Sequence, residues 1–434
     1  MRWEIQVASP SVSRWYYGWN IVAAATLITL LTVGMRMGVG PFFLPITQDL
    51  GFSRSTLAGI VAIGMLFYGL AMPVAGYLVG KVGTRVVLLI GTVIVVCSSV
   101  WAIYAREVWS FLLAYGILLS TGLGLTSPVA LTPVIAKWFT RKRGMALFFL
   151  STGSMAGIAV MTPLFTALIG AMGWKWTLVA FALLFALVTI PLALWIIRES
   201  APPETDTQLA DSRNGSPTTQ KAGPSQASMG QPVSPFLNCS FNQAVQSRPF
   251  WQVFLGLFAC GFSMNLLGTH GVPMLMDHGF DAMTASGGIG MIGLVAIFST
   301  LMLGRLSDRM PRRYLLAIIY FVRGLGFFAL LVVFTPLQLY IVAAIGGIVW
   351  AGSIALSSAI LADVYGIRLV GILYGWTYLG HQVGAMISSW FGGWGYEAFG
   401  SHWPAFGAAG VLLLVAAAIS MRLPGRVVLR PAMA

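Results

Sequence analysis

Four ionisable side chains stand inside otherwise apolar runs of this 434-residue sequence: Arg36, His270, Arg323 and His381. An ionised side chain within a bilayer costs at least ~2.5–3.5 kcal/mol, so each of them asks for a partner or a task. Arg36 lies between Thr32-Val-Gly-Met35 and Met37-Gly-Val-Gly40, nine residues before Pro45. That places it about 13 Å along a helix from the proline. A guanidinium offers a planar fork of donors that matches a carboxylate, so Arg36 reads as a binding charge for an anion. An arginine that snorkels to the surface or pairs structurally is the alternative. Arg323, in Tyr320-Phe-Val-Arg-Gly-Leu-Gly326, reads better as a structural hydrogen-bonding group.

Histidine exchanges protons near neutral pH. No Asp or Glu lies deep in any apolar run, so His381, near the middle of its run, is the first candidate for a protein proton site. A histidine that only packs helices is equally open. His270 lies nearer the end of its run and suits a gate or a structural role, with proton coupling as the second possibility. Asn265, Tyr115, Trp350, Ser353, Tyr374, Tyr378 and Gln382 are the polar and aromatic residues able to hydrogen-bond a carboxylate or hydroxyl. Tyr374, Tyr378 and His381–Gln382 recur at helical spacing and share one face.

The surroundings of these residues are those of a membrane protein. The chain is 58% hydrophobic and 9% charged, against about 25% charged in soluble domains. Lipid must therefore be the solvent for most of its surface. The net charge of +13 does not indicate nucleic acid, because the basic residues sit between apolar runs and not in a patch with interleaved aromatics. Cys97, Cys239 and Cys260 form no CxxC or His/Cys cluster, so neither a disulfide framework nor a metal site is expected. The first twenty residues lack a signal-peptide core, and the first apolar run is expected to direct insertion itself.

A spanning helix needs about 20 apolar residues. Twelve candidates are found: 17–44, 55–79, 86–105, 108–134, 144–170 and 175–197, then 250–274, 283–303, 313–334, 336–361, 369–394 and 403–422. The expected domains are a six-helix bundle at 1–197, a linker at 198–249 and a second bundle at 250–434. The linker is rich in Ser, Pro, Gln and Thr, a composition that cannot bury a core, and it is expected to be disordered and cytoplasmic. Loops after odd-numbered spans hold only Arg54, Arg106 and Lys175, whereas the other loops and the termini hold most of the Lys and Arg. Both termini are thus expected in the cytoplasm.

The two halves repeat. Pro45-x-x-x-Asp49-x-Gly51-Phe52 recurs as Pro273-x-x-x-Asp277-x-Gly279-Phe280, 228 residues later. Gly76 and Arg85 match Gly304 and Arg313 at the same offset, and Arg141, Gly144, Gly153 and Gly157 match Arg368, Gly371, Gly380 and Gly384 at 227. Six spans per repeat put both halves in one orientation, with a ligand site expected between them near mid-membrane. The pairs Gly153-x-x-x-Gly157 and Gly380-x-x-x-Gly384 permit close helix contact, either where the halves rock or in static packing.

Gly76-Tyr-Leu-Val-Gly-Lys-Val-Gly-Thr-Arg85 and Gly304-Arg-Leu-Ser-Asp-Arg-Met-Pro-Arg-Arg313 resemble the signature loop of the major facilitator superfamily, G-x-x-x-D-R-x-G-R-R. The first copy departs from it, with Gly80 in place of the acid that the second keeps as Asp308. Tyr17-Gly18-Trp19, Gly51-Phe-Ser-Arg54, His270-Gly-Val-Pro273 and Gly380-His-Gln-Val-Gly384 are similar to the monocarboxylate-porter and oxalate–formate-exchanger branch. The resemblance implies an all-α fold of twelve transmembrane helices in two pseudo-symmetric bundles. It implies a transporter of a small organic anion working by alternating access, not an enzyme. Proton symport is the expected coupling. The expected binding set is Arg36, Tyr115, Asn265, Trp350, Tyr378, His381 and Gln382, and Asp308, Arg309, Arg312 and Arg313 are the expected cytoplasmic gate. Helix nine, with Arg323, becomes peripheral scaffold. No cofactor is implied. The chain is expected to work as a monomer in a bacterial inner membrane. Export of a cationic drug on the same fold is the alternative, although cation carriers usually hold a buried acid and none is seen in the spans. A membrane sensor is a third reading.

Overall fold

The computed structural model describes residues 16–139, 143–200 and 239–424, with backbone alone at Arg143, Leu301, Asp308, Ile367 and Arg368. Ten helices among these residues are long and apolar enough to cross a membrane. One of them, Gly144–Ile196, is 53 residues long and contains two spans. They meet at Gly173, whose φ of 77° turns the chain back and is accessible to glycine without a Cβ clash. The 33-residue helix Ile367–Phe399 is a further crossing, more polar than the rest because it carries Thr377, His381, Gln382, Ser388 and Ser389. The total is twelve spans.

The first span is Gly18–Met37, continued after a break at Gly38 by Gly40–Leu50. The second is Arg54–Val82, the third Thr84–Tyr104, and the fourth Val108–Trp138 with a π-helical stretch at Leu112–Leu119. The fifth and sixth lie either side of Gly173. The seventh is Arg248–Asp277, the eighth Ala282–Arg309 and the ninth Arg312–Leu330. The tenth is broken into Pro336–Ile348 and Gly352–Tyr365, the eleventh is Ile367–Phe399, and the twelfth is Trp403–Met421. Several helices overrun the expected apolar stretches: the second begins at Arg54, capped by Ser53, and the eleventh ends at Phe399.

Residues 201–238 of the expected linker lie outside the described residues. Its far end is ordered, contrary to the expectation of disorder across 198–249. Phe241–Gln246 forms a short helix with a Ser240–Gln243 capping box, and Phe241 and Val245 pack on the core of the C-terminal half. Two apolar residues four apart suffice to dock one helical turn on a preformed surface.

The glycine pairs pack within each half. A Cβ at Gly153 would come 2.4 Å from the Thr26 carbonyl, and one at Gly157 would come 2.5 Å from the Leu30 carbonyl, both in the first span. Gly380 and Gly384 meet Phe254 and Phe258 of the seventh span in the same manner. The reading of these pairs as a rocking surface between halves is therefore replaced by static packing. Close approaches between halves occur at Gly293 of the eighth span, where a Cβ would come 2.6 Å from the Ala159 amide nitrogen, and at Gly393 of the eleventh, where one would come 2.7 Å from the Arg54 carbonyl. Sequence spacing cannot distinguish these cases, because a small-residue stripe does not name its partner helix.

Among the described residues, the bonds named between the halves lie at mid-membrane and on the side bearing the odd-to-even loops. On that side Arg54 pairs with Asp277 at 2.5 Å and the Ser55 amide donates to Glu397 at 2.9 Å. Thr166 and Ser286 share a hydrogen bond of 2.5 Å. Toward the other side, Gly80, Gly144, Gly304, Gly371 and Gly375 have no atom within 4 Å of a Cβ built on them. The described bonds between the halves close the mouth on the loop side.

Candidate functional site

Arg36 lies in the last turn of Gly18–Met37, beside the break at Gly38. The C-terminal carbonyls of a helix favour a cation, so the break both exposes and stabilises the guanidinium. Its Nη2 donates to Asn265 Oδ1 at 3.0 Å and to Gln382 Oε1 at 3.2 Å. Asn265 belongs to the seventh span and Gln382 to the eleventh, so one guanidinium joins the two halves. Its Cζ stands 4.3 Å from the centroid of the Tyr68 ring, a cation–π contact. Every one of these partners is formally neutral.

Local sequence explains the approach. A Cβ at Gly69 would come 2.8 Å from Gln382 Cγ, so glycine there lets the eleventh span reach Arg36. The Asn265 amide donates Nδ2–H to the Gly261 carbonyl at 2.9 Å, which turns Oδ1 toward Arg36. Tyr68 is a site residue that the sequence reading missed. The signal available was a phenol next to glycine, mid-way along the second apolar run.

Arg36, Tyr68 and Tyr115 line one small cavity of about 30 Å³ with Met35, Val39 and Met65. Tyr115 stacks on Phe111 at 5.0 Å, and its buried hydroxyl has no hydrogen-bond partner among the described residues. Arg36 Nε and Gln382 Nε2 are likewise unpartnered. Three free donors thus surround a half-buried positive charge. Buried donors without acceptors are costly. An acceptor that enters the cavity, an anion among them, would answer these donors.

His381 is buried, with its ring stacked on Tyr378 at 5.0 Å and 5°. Neither ring nitrogen has a hydrogen-bond partner. Tyr374 continues the stack at 5.8 Å from Tyr378. The shared face read from the sequence is therefore a physical column beside Gln382.

Two of the expected residues are placed elsewhere. Trp350 lines a separate void of only about 10 Å³ with Met37, Ile158 and Leu267, at the junction of the halves. His270 is buried against Phe43, and its Nε2 lies 2.7 Å from the Ser389 carbonyl. It ties the seventh span to the eleventh and does not reach Arg36.

Arg323 is 1% exposed. Its Nη2 donates to the Val349 carbonyl at 2.6 Å and to the Trp350 carbonyl, and Nη1 reaches Cys260 Sγ at 3.2 Å. The two carbonyls belong to the break in the tenth span. Arg323 therefore satisfies backbone groups that the broken helix leaves open in an apolar interior.

At the expected gate, Arg312 pairs with Asp363 at 2.7 Å, and Arg313 donates to the Leu423 carbonyl at 3.1 Å. Arg309 is exposed, and the Asp308 side chain lies outside the described residues. The contacts of Arg312 and Arg313 stay within the C-terminal half. Asp363, the partner of Arg312, carried no motif that could have singled it out.

A profile of the Major Facilitator Superfamily matches residues 25–336 and 290–432. The chain is 26% identical over 360 residues to the MFS-type transporter YcxA of Bacillus subtilis (strain 168), covering 81% of this chain and 82% of that one. It is 21% identical over 390 residues to the oxalate:formate antiporter of Oxalobacter formigenes, covering 88% and 86%. The crystal structure of a D-xylose-proton symporter superposes with a TM-score of 0.70 at 15% identity, covering 94% of this chain and 98% of that one. The fold of two six-helix bundles, expected from the signature loops and the internal repeat, is thus found, and the chain is a transporter that belongs to the Major Facilitator Superfamily.

Proposed function

We propose that this protein is a secondary active transporter of a small organic anion, a mono- or dicarboxylate, with Arg36 holding the carboxylate. The observation that carries this reading is Arg36 itself: a half-buried cation where the halves meet, tethered only by neutral side chains and ringed by unpartnered donors. A low-dielectric site raises the value of each charge-assisted bond to a carboxylate. Tyr115, Asn265, Gln382, Tyr378 and His381 complete the binding set in this reading, with Tyr68 beneath the guanidinium. Trp350 would act only on a ligand that extends into the neighbouring cavity. The oxalate:formate antiporter relative agrees with an anionic substrate.

The proposed cycle is alternating access, and the arrangement described here is its inward-facing state. Asp308, Arg309, Arg312 and Arg313 then form the latch that closes the cytoplasmic side in the opposite state. The two bundles at 1–197 and 250–434 move as the two bodies of the cycle, joined by the linker at 198–249. The charge bias of the loops supports cytoplasmic termini, and a bacterial inner membrane is the proposed location. The protein is proposed to work as a monomer. Proton symport is the proposed coupling, with His381 and His270 as the candidate proton carriers in the spans. Cation export is less well supported, because a cationic ligand would meet the Arg36 charge with no carboxylate nearby among the described residues.

Uptake into proteoliposomes of a labelled carboxylate panel, with and without an imposed pH gradient, tests this reading. Accumulation of at least one carboxylate, enhanced by an acid-outside gradient and lost in Arg36→Ala, is the expected result. Transport of organic cations with no carboxylate transport would overturn it.

A further inference from the structure

The acids Asp49 and Asp277 occupy equivalent positions in the two halves, 228 residues apart. Trp174 and His402 are equivalent by the same offset. The structure keeps this correspondence. Trp174 Nε1 donates to Asp49 Oδ2 at 3.1 Å, and His402 Nε2 lies 2.8 Å from Asp277 Oδ2. Each acid is thus held by the ring of its own half at the mouth on the loop side.

The halves differ in the cation. Asp49 is paired at 2.7 Å with Lys175 of its own half and makes no described bond to the other half. Asp277 has no such cation of its own. It is gripped instead by Arg54 of the opposite half, with Nη1 to Oδ2 at 2.5 Å and Nη2 to Oδ1 at 3.0 Å. This bidentate pair is the ionic bond across the closed mouth among the described residues.

We propose that Arg54, Asp277 and His402 form a proton-operated latch, in which a proton taken up by His402 releases Arg54 and lets the outer mouth open. The proton binds at Nδ1. Neutral His402 donates Nε2–H to Asp277, which leaves Nδ1 as the basic nitrogen, and Nδ1 is buried without a partner. Asp277 remains ionised throughout. A protonated His402 gives Asp277 the same-half cation that Lys175 always gives Asp49. It also sets a second positive charge beside Arg54. The N-terminal half therefore displays, with a fixed charge, the arrangement that the C-terminal half reaches only on protonation.

The other groups around His402 do not supply a competing cation. Tyr396 stacks at 4.4 Å from His402 and also lies 4.1 Å beneath the Arg54 guanidinium. Glu397 accepts from the Ser55 amide, a neutral donor at an exposed position. His278 stands 6.3 Å from His402, half-exposed, and offers a route for the proton from solvent. His270 lies deeper and bonds to a backbone carbonyl. Histidine titrates between about pH 5 and 8. An acidic exterior would thus favour the outward-open state, which is the direction that proton-driven uptake needs. The proposal rests on the two-state cycle, and on neither the substrate nor Arg36.

The test reads conformation, so no substrate is required. Nitroxide labels are placed at Arg106, exposed on an outer loop of one half, and at Leu337, exposed in the first turn of the tenth span of the other, in a chain with the exposed Cys97 replaced by alanine. Distances are measured in nanodiscs by pulsed electron resonance between pH 8 and pH 5. The distance is expected to lengthen as pH falls. His402→Gln, and independently His402→Asn, should keep the short distance at every pH. Arg54→Gln should give the long distance at every pH. A pH-dependent lengthening retained in either folded His402 variant would overturn the proposal. So would a short distance in Arg54→Gln, or a wild-type distance that ignores pH. Failure of carboxylate uptake in the liposome assay would leave this result untouched.

Discussion

The Arg36 guanidinium of the first span donates to the Gln382 side-chain oxygen of the eleventh across 3.2 Å, and through it the two halves of the protein meet at one charge. The other half supplies a second neutral acceptor, Asn265, at 3.0 Å. The arrangement holds a cation in place without neutralising it. Its consequences can be measured.

Arg36→Ala removes the permanently charged donor of the site. A hydrogen bond to a charged group contributes about 1.5–3 kcal/mol, or roughly 10- to 150-fold in affinity. A rise in the uptake KM of at least that size is expected in proteoliposomes. Arg36→Lys keeps the charge but loses the fork, so an intermediate KM is expected.

Gln382→Glu places a carboxylate where the amide oxygen now accepts from Arg36. The internal acid then occupies the position of the substrate. Carboxylate uptake should fall to background, while Gln382→Ala should raise KM only several-fold. Equal effects of the two variants would show that Arg36 does not meet the substrate.

Tyr115→Phe deletes a buried hydroxyl that has no partner among the described residues. Removing an unpaired buried group is close to neutral or stabilising. The melting temperature without substrate should therefore hold or rise. If the hydroxyl donates to the bound anion, KM should increase by about 3- to 10-fold, the equivalent of ~1 kcal/mol. A lower melting temperature would contradict the absence of a partner.

Arg323→Leu strips the donor from the Val349 and Trp350 carbonyls at the break in the tenth span. Leaving buried acceptors unpaired costs about 1–3 kcal/mol each. A clear drop in melting temperature is expected, with KM near wild type in the protein that folds. A KM effect at unchanged stability would move Arg323 from scaffold to site.

Gly293→Val forces a side chain against the Ala159 amide and the Met155 carbonyl, which a Cβ alone would approach to 2.6 and 2.7 Å. These belong to the opposite half. The present state should lose population, and the Arg106–Leu337 label distance should lengthen at constant pH.

Much of this protein is readable in the chain before any fold is known. Twelve apolar runs, the Lys and Arg bias and the 228-residue repeat follow from the cost of polar groups in lipid and from chemistry repeated along the sequence. Arg36, His381 and Gln382 stand out for the same reason: polar groups in an apolar run are conspicuous. The structure decided what these groups touch. It joined Arg36 to Asn265 and Gln382 across the halves and added Tyr68. It set His270 on a backbone carbonyl, moved the glycine pairs from the interface into each half, and gave Arg323 to the broken tenth span. It also turned Asp277, visible only as one letter of a repeated motif, into the centre of a bond between halves. The cost of burying a residue depends on its own chemistry and can be read one position at a time. Partner identity depends on the rotation and contact of helices hundreds of residues apart, which no local pattern records.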